Sequence, residues 1–185
     1  MSALTSETTE RLFIGVPVPE ATRLSLMTQI PKGLPGRATP AENWHFTLRF
    51  LGSTDAQRRD RLIDALRSKR FGPPFELEFD QLGAFPNPRR ARVLWVGVGN
   101  GHGKLEDIAR IAEAAATQSG FEAEPRKFTA HITISRMKQP ETVVHFLEKA
   151  RRVNAVMRVG EVILFRSKPG SDHSRYTVVD AFPVK

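Results

Sequence analysis

The chain has 185 residues, a 40% hydrophobic share and a net charge of +8, from 28 Lys and Arg against 20 Asp and Glu. That length suits one domain with a sizeable core, and the absence of cysteine excludes disulfide scaffolds, thiolate catalysis and cysteine-ligated zinc or iron–sulfur sites. The positive balance suits a polyanionic partner, whose phosphate contacts release counterions, and equally suits an ordinary basic surface.

No apolar run approaches the ~20 residues of a membrane helix. Met1–Glu10 is polar, lacks the apolar stretch of a signal peptide, and is expected to be a disordered lead-in to a cytoplasmic protein. Period-two alternation then predicts a strand over Arg11–Val18, followed by a helix from about Pro19 that ends before Pro31-Lys32-Gly33. A Gly/Pro-rich loop spans 33–43. A strand over Trp44–Leu51 is punctuated by Gly52-Ser53-Thr54, and a charged helix over Thr54–Lys69 precedes a strand over Phe75–Leu82. The order then restarts. A strand over Ala91–Val98 leads to an Ala-rich helix, Lys104–Gln118, closed by Gly120. Next come a strand over Phe128–Ser135, a helix over Pro140–Ala150, and strands over Ala155–Phe165 and Arg175–Phe182.

The chain thus reads β-α-β-α-β twice, with an extra strand at the end. This predicts an α+β, bilobal, duplicated fold forming a single domain over 11–185, with repeats of roughly 11–86 and 91–185. The segment Gly83–Arg90 joins them and is too short for a free linker.

Residues two apart on a strand share a face. His45, Thr47 and Arg49 therefore share one face of the third predicted element, with Trp44, Phe46, Leu48 and Phe50 on the core side. The later strand repeats this, with His131, Thr133 and Ser135 opposite Ala130, Ile132 and Ile134. Packed as pseudo-twofold lobes, the two strands bring two imidazoles and two hydroxyls to one groove. In-line cleavage of a phosphodiester needs a base for the attacking oxygen and an acid for the leaving one, and an imidazole near pKa 6.5 serves either role. The hydroxyls can bind non-bridging phosphate oxygens. This chemistry needs no metal, and neither metal nor other cofactor is expected.

The segments His45-Phe46-Thr47-Leu48-Arg49-Phe50-Leu51-Gly52 and His131-Ile132-Thr133-Ile134-Ser135-Arg136 resemble the two signatures of the 2H phosphoesterase superfamily, and more narrowly the RNA 2′,3′-cyclic phosphodiesterases once called 2′-5′ RNA ligases. The likeness runs from Arg11 through Phe85-Pro86 and Arg92-Val93-Leu94-Trp95 to Tyr176. It implies two antiparallel sheets around a central cleft, and hydrolysis of a 2′,3′-cyclic phosphate at an RNA end to a 2′-phosphomonoester, with a 2′-5′ ligase side activity conceivable by reversal. It further implies His45 as the acid and His131 as the base, roles that the near-symmetric residue pattern itself leaves open. Arg136 becomes a phosphate clamp and Tyr176 a substrate contact. Ala130 departs from the family's usual proline. Strand alternation puts Arg136 on the face opposite His131, so its role requires a bend or bulge.

Two other readings stand beside this one: a non-catalytic RNA-binding module, and the same chemistry on 2′-5′ linkages, cyclic dinucleotides or small cyclic phosphates. A monomer is expected. His102, His145 and His173 are read as loop or helix-surface residues. Arg58-Arg59-Arg61 is read as a solvated helix face, Arg151-Arg152 as cations following a helix, and Arg89, Arg90 and Arg92 as candidates to track an RNA backbone.

Overall fold

A computed structural model describes residues 9–150 and 152–185. Most of the expected lead-in, residues 1–8, and Arg151 lie outside the described residues, and Glu10 already opens the first strand. The elements are β1 (Glu10–Pro17), α1 (Glu20–Gln29), β2 (Arg37–Ala38), β3 (His45–Thr54), α2 (Ala56–Arg67), β4 (Phe75–Phe85), β5 (Ala91–Val98), α3 (His102–Gln118), β6 (His131–Glu141), α4 (Val144–Lys149), β7 (Ala155–Val159), β8 (Glu161–Lys168) and β9 (Arg175–Pro183).

The helices follow local rules. Asp55 caps α2 by accepting from the Arg58 N–H at 2.7 Å, which satisfies one of the orphan donors of the first turn. In α3 the buried residues Leu105, Ile108, Ala109, Ala112, Ala115 and Ala116 form one stripe, and its four alanines let the helix lie close to its neighbours. Gly120, at φ +89°, ends α3. Its N–H bonds the Thr117 carbonyl and that of Phe121 the Ala116 carbonyl, the paired pattern of a left-handed helix stop.

Several boundaries differ from expectation. Pro140 and Glu141 belong to β6 rather than to a helix, because Glu141 pairs with Ala91, and a proline near a strand end forfeits little of the ladder. The strand predicted over Ala155–Phe165 breaks at Gly160 into β7 and β8, which pair with β4 and β9/β1 respectively. β3 continues through Gly52, whose φ of +72° only glycine adopts without strain. β4 extends to Phe85, and the strand expected from Phe128 starts at His131.

The strands form a curled antiparallel sheet in the order β7-β4-β5-β6-β3-β1-β8-β9, with β2 beside β6. A five-stranded half, counting β2, and a four-stranded half meet through a single backbone pair, Phe46↔Ile132. The pairing crosses the chain order: β4 joins β5 and β7, whereas β8 joins β1. Helices cover one face, α3 against β3, α2 against α3 and β9, and α1 against β7. Between helices and sheet lies the main core, including Leu12, Ile14, Phe46, Leu94 and Ile132, each fully buried. A smaller cluster of Phe13, Ile163 and Phe165, with Tyr176 against it, sits apart. It accounts for the unbroken apolar run in β1, which is packed on both faces.

Candidate active site

His45 opens β3 and His131 opens β6, and each is followed by a fully buried apolar residue, Phe46 or Ile132. The pleat therefore turns each imidazole to the face away from the helices, with Thr47 and Thr133 on the same side. His45, Thr47, His131 and Thr133 all line one cavity of about 250 Å³ that also touches Arg136 and Tyr176. All six expected site residues thus border the same cleft.

Both rings are held alike. His45 Nδ1 lies 2.7 Å from the Asn43 carbonyl, and His131 Nδ1 lies 2.7 Å from that of Thr129. A carbonyl only accepts, so each Nδ1 carries the hydrogen and each Nε2 of the neutral ring presents a lone pair to the cleft. His45 Nε2 sits 3.0 Å from the Thr47 hydroxyl, whereas His131 Nε2 has no hydrogen-bond partner among the described residues. Aromatic rings back both imidazoles. Phe13 lies 4.7 Å from His45, with Tyr176 edge-on at 5.3 Å, and Phe85 stands edge-on to His131 at 5.0 Å.

This packing sets the electrostatics. Burial, opposed by the Asn43 carbonyl and reinforced by the Arg136 and His131 charges, lowers His45 to about 4. Burial also lowers His131, against the Thr129 carbonyl and with Arg136 adding to the effect. Burial raises the Tyr176 phenol. The cleft without an anion disfavours any further positive charge.

Two strand irregularities rearrange what alternation predicts. Trp95 pairs with Thr133 and Leu94 with Ser135, so Ile134 is an extra residue in β6. Beyond this bulge Ser135 is buried and bonded to the Pro35 carbonyl, while Arg136 swings to the cleft. Ser135 is thereby corrected from the catalytic face to the interior. β3 carries the same insertion: Gly15 pairs with Thr47 and Ile14 with Arg49, leaving Leu48 extra. Arg49, expected beside His45, instead reaches Glu113 at 2.5 Å and Glu124 at 3.6 Å with its side chain 9% exposed. Phe50, expected in the core, is 46% exposed and lines the cleft.

The arginines at the repeat junction do not border the cavity, and Arg92 instead donates to the Lys138 carbonyl at 3.3 Å. On α2, Arg58 lies over the Phe121 ring and Arg59 pairs with Glu10 and Asp60. Arg11 joins Arg136 as a cleft cation. Arg11 escaped the sequence reading because only the β1 register reveals which way it faces. The Asn43 and Thr129 carbonyls had a usable signal, since each stands two residues before a histidine.

Among the described residues no cluster of three or more His, Cys, Asp or Glu could hold a metal ion, and no helix is long and apolar enough to cross a membrane.

Comparison with known proteins agrees with this geometry. The model of the LigT-like phosphoesterases matches twice, over residues 15–95 and 96–176, one match per histidine motif. A protein of Aeropyrum pernix named RNA 2′,3′-cyclic phosphodiesterase is 38% identical over 130 residues, 70% of this chain and 73% of its own length. The Escherichia coli protein of the same name is 28% identical over 172 residues, 91% of this chain and 93% of its own. The crystal structure of E. coli LigT complexed with 3′-AMP superposes with a TM-score of 0.82 at 27% identity, covering 96% of this chain and 99% of that one. With a doubled motif, a shared curled sheet and a family match across nearly its whole length, the chain belongs to the LigT-like phosphoesterases of the 2H phosphoesterase superfamily, a family of hydrolases.

Proposed function

We propose that the protein hydrolyses the 2′,3′-cyclic phosphate at an RNA 3′ end to a 2′-phosphomonoester, with His45 as general acid and His131 as general base. The observation that carries this reading is the convergence of two equivalently anchored imidazoles, from equivalent strands, on one cavity. The names of the relatives and the nucleotide held by E. coli LigT agree with the substrate class.

His131 Nε2, with its lone pair uncommitted, takes a proton from water as the water oxygen attacks phosphorus. The P–O3′ bond breaks on the opposite side, and His45 Nε2–H protonates the departing O3′. Thr47, Thr133 and Arg136 bind the non-bridging oxygens, where charge is held in the transition state. His45 must be cationic to act, yet burial and the neighbouring Arg136 charge hold it neutral in the free protein. A bound phosphate resolves this. Its negative charge offsets Arg136 and favours the imidazolium, so the acid is loaded as substrate arrives. Once His45 is protonated, its Nε2 turns donor and the Thr47 hydroxyl is freed toward the phosphate.

The test is incubation with an RNA ending in a 2′,3′-cyclic phosphate, with and without chelator, followed by identification of the product isomer. A 2′-monophosphate formed equally in both is expected. An unchanged substrate, or a 3′-monophosphate product, would refute the reading.

A further inference from the structure

Outside the two histidine strands the cavity is lopsided. On the His45 side its wall continues across β1, β8 and β9 through Arg11, Phe13, Ser167 and Tyr176, with Pro169 and Ser174 at the same end. On the His131 side, β5 pairs with β6 as β1 pairs with β3, yet β5 contributes no residue to the cavity. The extra room therefore lies beyond His45 and not beyond His131.

Arg11 is the cation of that room. It stands opposite Ser167, which stands opposite Tyr176, so the three form a row across adjacent strands with their side chains on one face. Arg11 is exposed and pairs with no carboxylate among the described residues, and its neighbour Glu10 is taken by Arg166 at 2.7 Å and Arg59 at 3.2 Å. Arg136 is near enough to shift His45, His131 and Tyr176, whereas Arg11 shifts none of them. The cavity thus holds two guanidiniums of different reach, one beside the imidazoles and one further out on the His45 side.

We propose that Arg11 binds the phosphodiester joining the terminal nucleotide to the rest of the RNA, which makes the cleft a reader of chain ends rather than of free cyclic mononucleotides. This role rests on the phosphodiesterase reading above, in which the departing O3′ faces His45. The ribose then lies on the His45 side, and its C4′ and C5′ carry the 5′ phosphate further along that wall, toward the guanidinium. A guanidinium can hold two phosphate oxygens at once, and the Ser167 hydroxyl opposite it supplies another donor. A cyclic mononucleotide with a free 5′ hydroxyl has no charge to offer there.

The test is calorimetric titration of the whole protein with two diadenylates ending in a 2′-phosphate. They are identical except that one has an ordinary phosphodiester linkage and the other a neutral methylphosphonate. Wild type is expected to bind the charged dinucleotide about 5- to 50-fold more tightly than the neutral one, and Arg11→Gln to erase that difference. In the glutamine variant the logarithmic salt slope for the charged dinucleotide should also shrink by about 0.7, the share of one phosphate on a single strand. Adenosine 2′-phosphate, which lacks the linkage, checks the fold. Its affinity should drop by less than about 3-fold in Arg11→Gln, through lost long-range attraction. Equal binding of the two dinucleotides by wild type, a preference that survives in Arg11→Gln, or equal weakening of mononucleotide and charged dinucleotide by that variant would each overturn the proposal. Binding needs no turnover, so a protein that shows this charge preference yet leaves cyclic phosphate intact counts against the phosphodiesterase reading alone.

Discussion

Phe46 and Ile132 form the only backbone pair linking β3 to β6, and each directly follows a histidine. Both side chains are fully buried, so the pleat sends their predecessors to the opposite face. The strands touch at this pair and diverge from it, which opens the cleft at the point where His45 and His131 enter. The joint between the two halves of the sheet and the placement of the two imidazoles are therefore one feature of the fold.

If those imidazoles are the acid and the base, His45→Ala and His131→Ala should each lower turnover by about 10²- to 10⁴-fold. Neither ring belongs to the main core, so the far-ultraviolet circular dichroism should match wild type. A variant retaining full activity with an intact fold would remove that histidine from the mechanism.

The pH dependence follows from the lowered pKa values. Catalysis needs one protonated and one neutral imidazole, and in the free protein burial and Arg136 push both below 6.5. The profile of kcat/KM, which reports free protein, should be a bell centred on the acid side of 6.5. Bound phosphate favours the imidazolium, so the alkaline limb of kcat should lie at higher pH. Arg136→Gln removes a positive neighbour, and nuclear magnetic resonance titration of that variant should show both histidines moved upward. Unmoved histidines would show that Arg136 does not set their charge.

Much of this site was legible because the strand period is two and both motifs sit on strands. That alone paired His45 with Thr47 and His131 with Thr133. What alternation could not reveal were the single-residue insertions at Leu48 and Ile134. A bulge arises when two residues of one strand face one residue of its partner, so where the alternation slips is decided by pairing, which the pattern of one strand does not contain. Hence Arg49, Phe50 and Ser135 were assigned to the wrong faces, and Arg136 could be aimed only by assuming a bulge. The break at Gly160 was missed for a related reason. A continuous apolar pattern does not say that its two halves pair with different neighbours.

Acid should also destabilise the fold through His45. Above pH 6.5 the ring is neutral whether folded or unfolded and contributes no pH dependence. Below 6.5 the unfolded ring takes up a proton that the folded ring refuses until about 4, so unfolding is increasingly favoured across that window. The loss amounts to at most about 3 kcal/mol. Urea midpoints measured between pH 7 and pH 4 should fall for wild type and fall less for His45→Gln. Equal slopes would mean that the buried ring does not resist protonation.

Arg49 carries a stability prediction. Its nearly buried guanidinium ties β3 to Glu113 of α3 and to Glu124, and donates to the Phe50 carbonyl at 2.6 Å. Arg49→Ala leaves the partly buried Glu113 carboxylate without its cation, while Glu124 keeps Arg126, and should cost about 1–3 kcal/mol. Arg126 also pairs with Glu124 but is 81% exposed, so Arg126→Ala should cost under about 1 kcal/mol. Denaturation midpoints would compare them, and equal losses would contradict the anchoring role.

Gly15 separates geometry from chemistry. It pairs with Thr47 across β1 and β3, and a Cβ there would stand 2.7 Å from the Phe46 carbonyl oxygen and 3.5 Å from His45 Cδ2. The first contact is with backbone, which a rotamer change cannot relieve, so Gly15→Ala must change the β1–β3 approach next to His45. Misplacing a catalytic group by about 1 Å can cost on the order of 100-fold in rate. The same shift should cost about 1–3 kcal/mol of stability, as overpacking usually does. Turnover should therefore fall steeply while the variant remains folded at 25 °C, and affinity for inorganic phosphate should change less than kcat. Wild-type kcat in a folded Gly15→Ala protein would mean that β3 tolerates displacement, and that the close approach of β1 does not fix the position of the His45 ring.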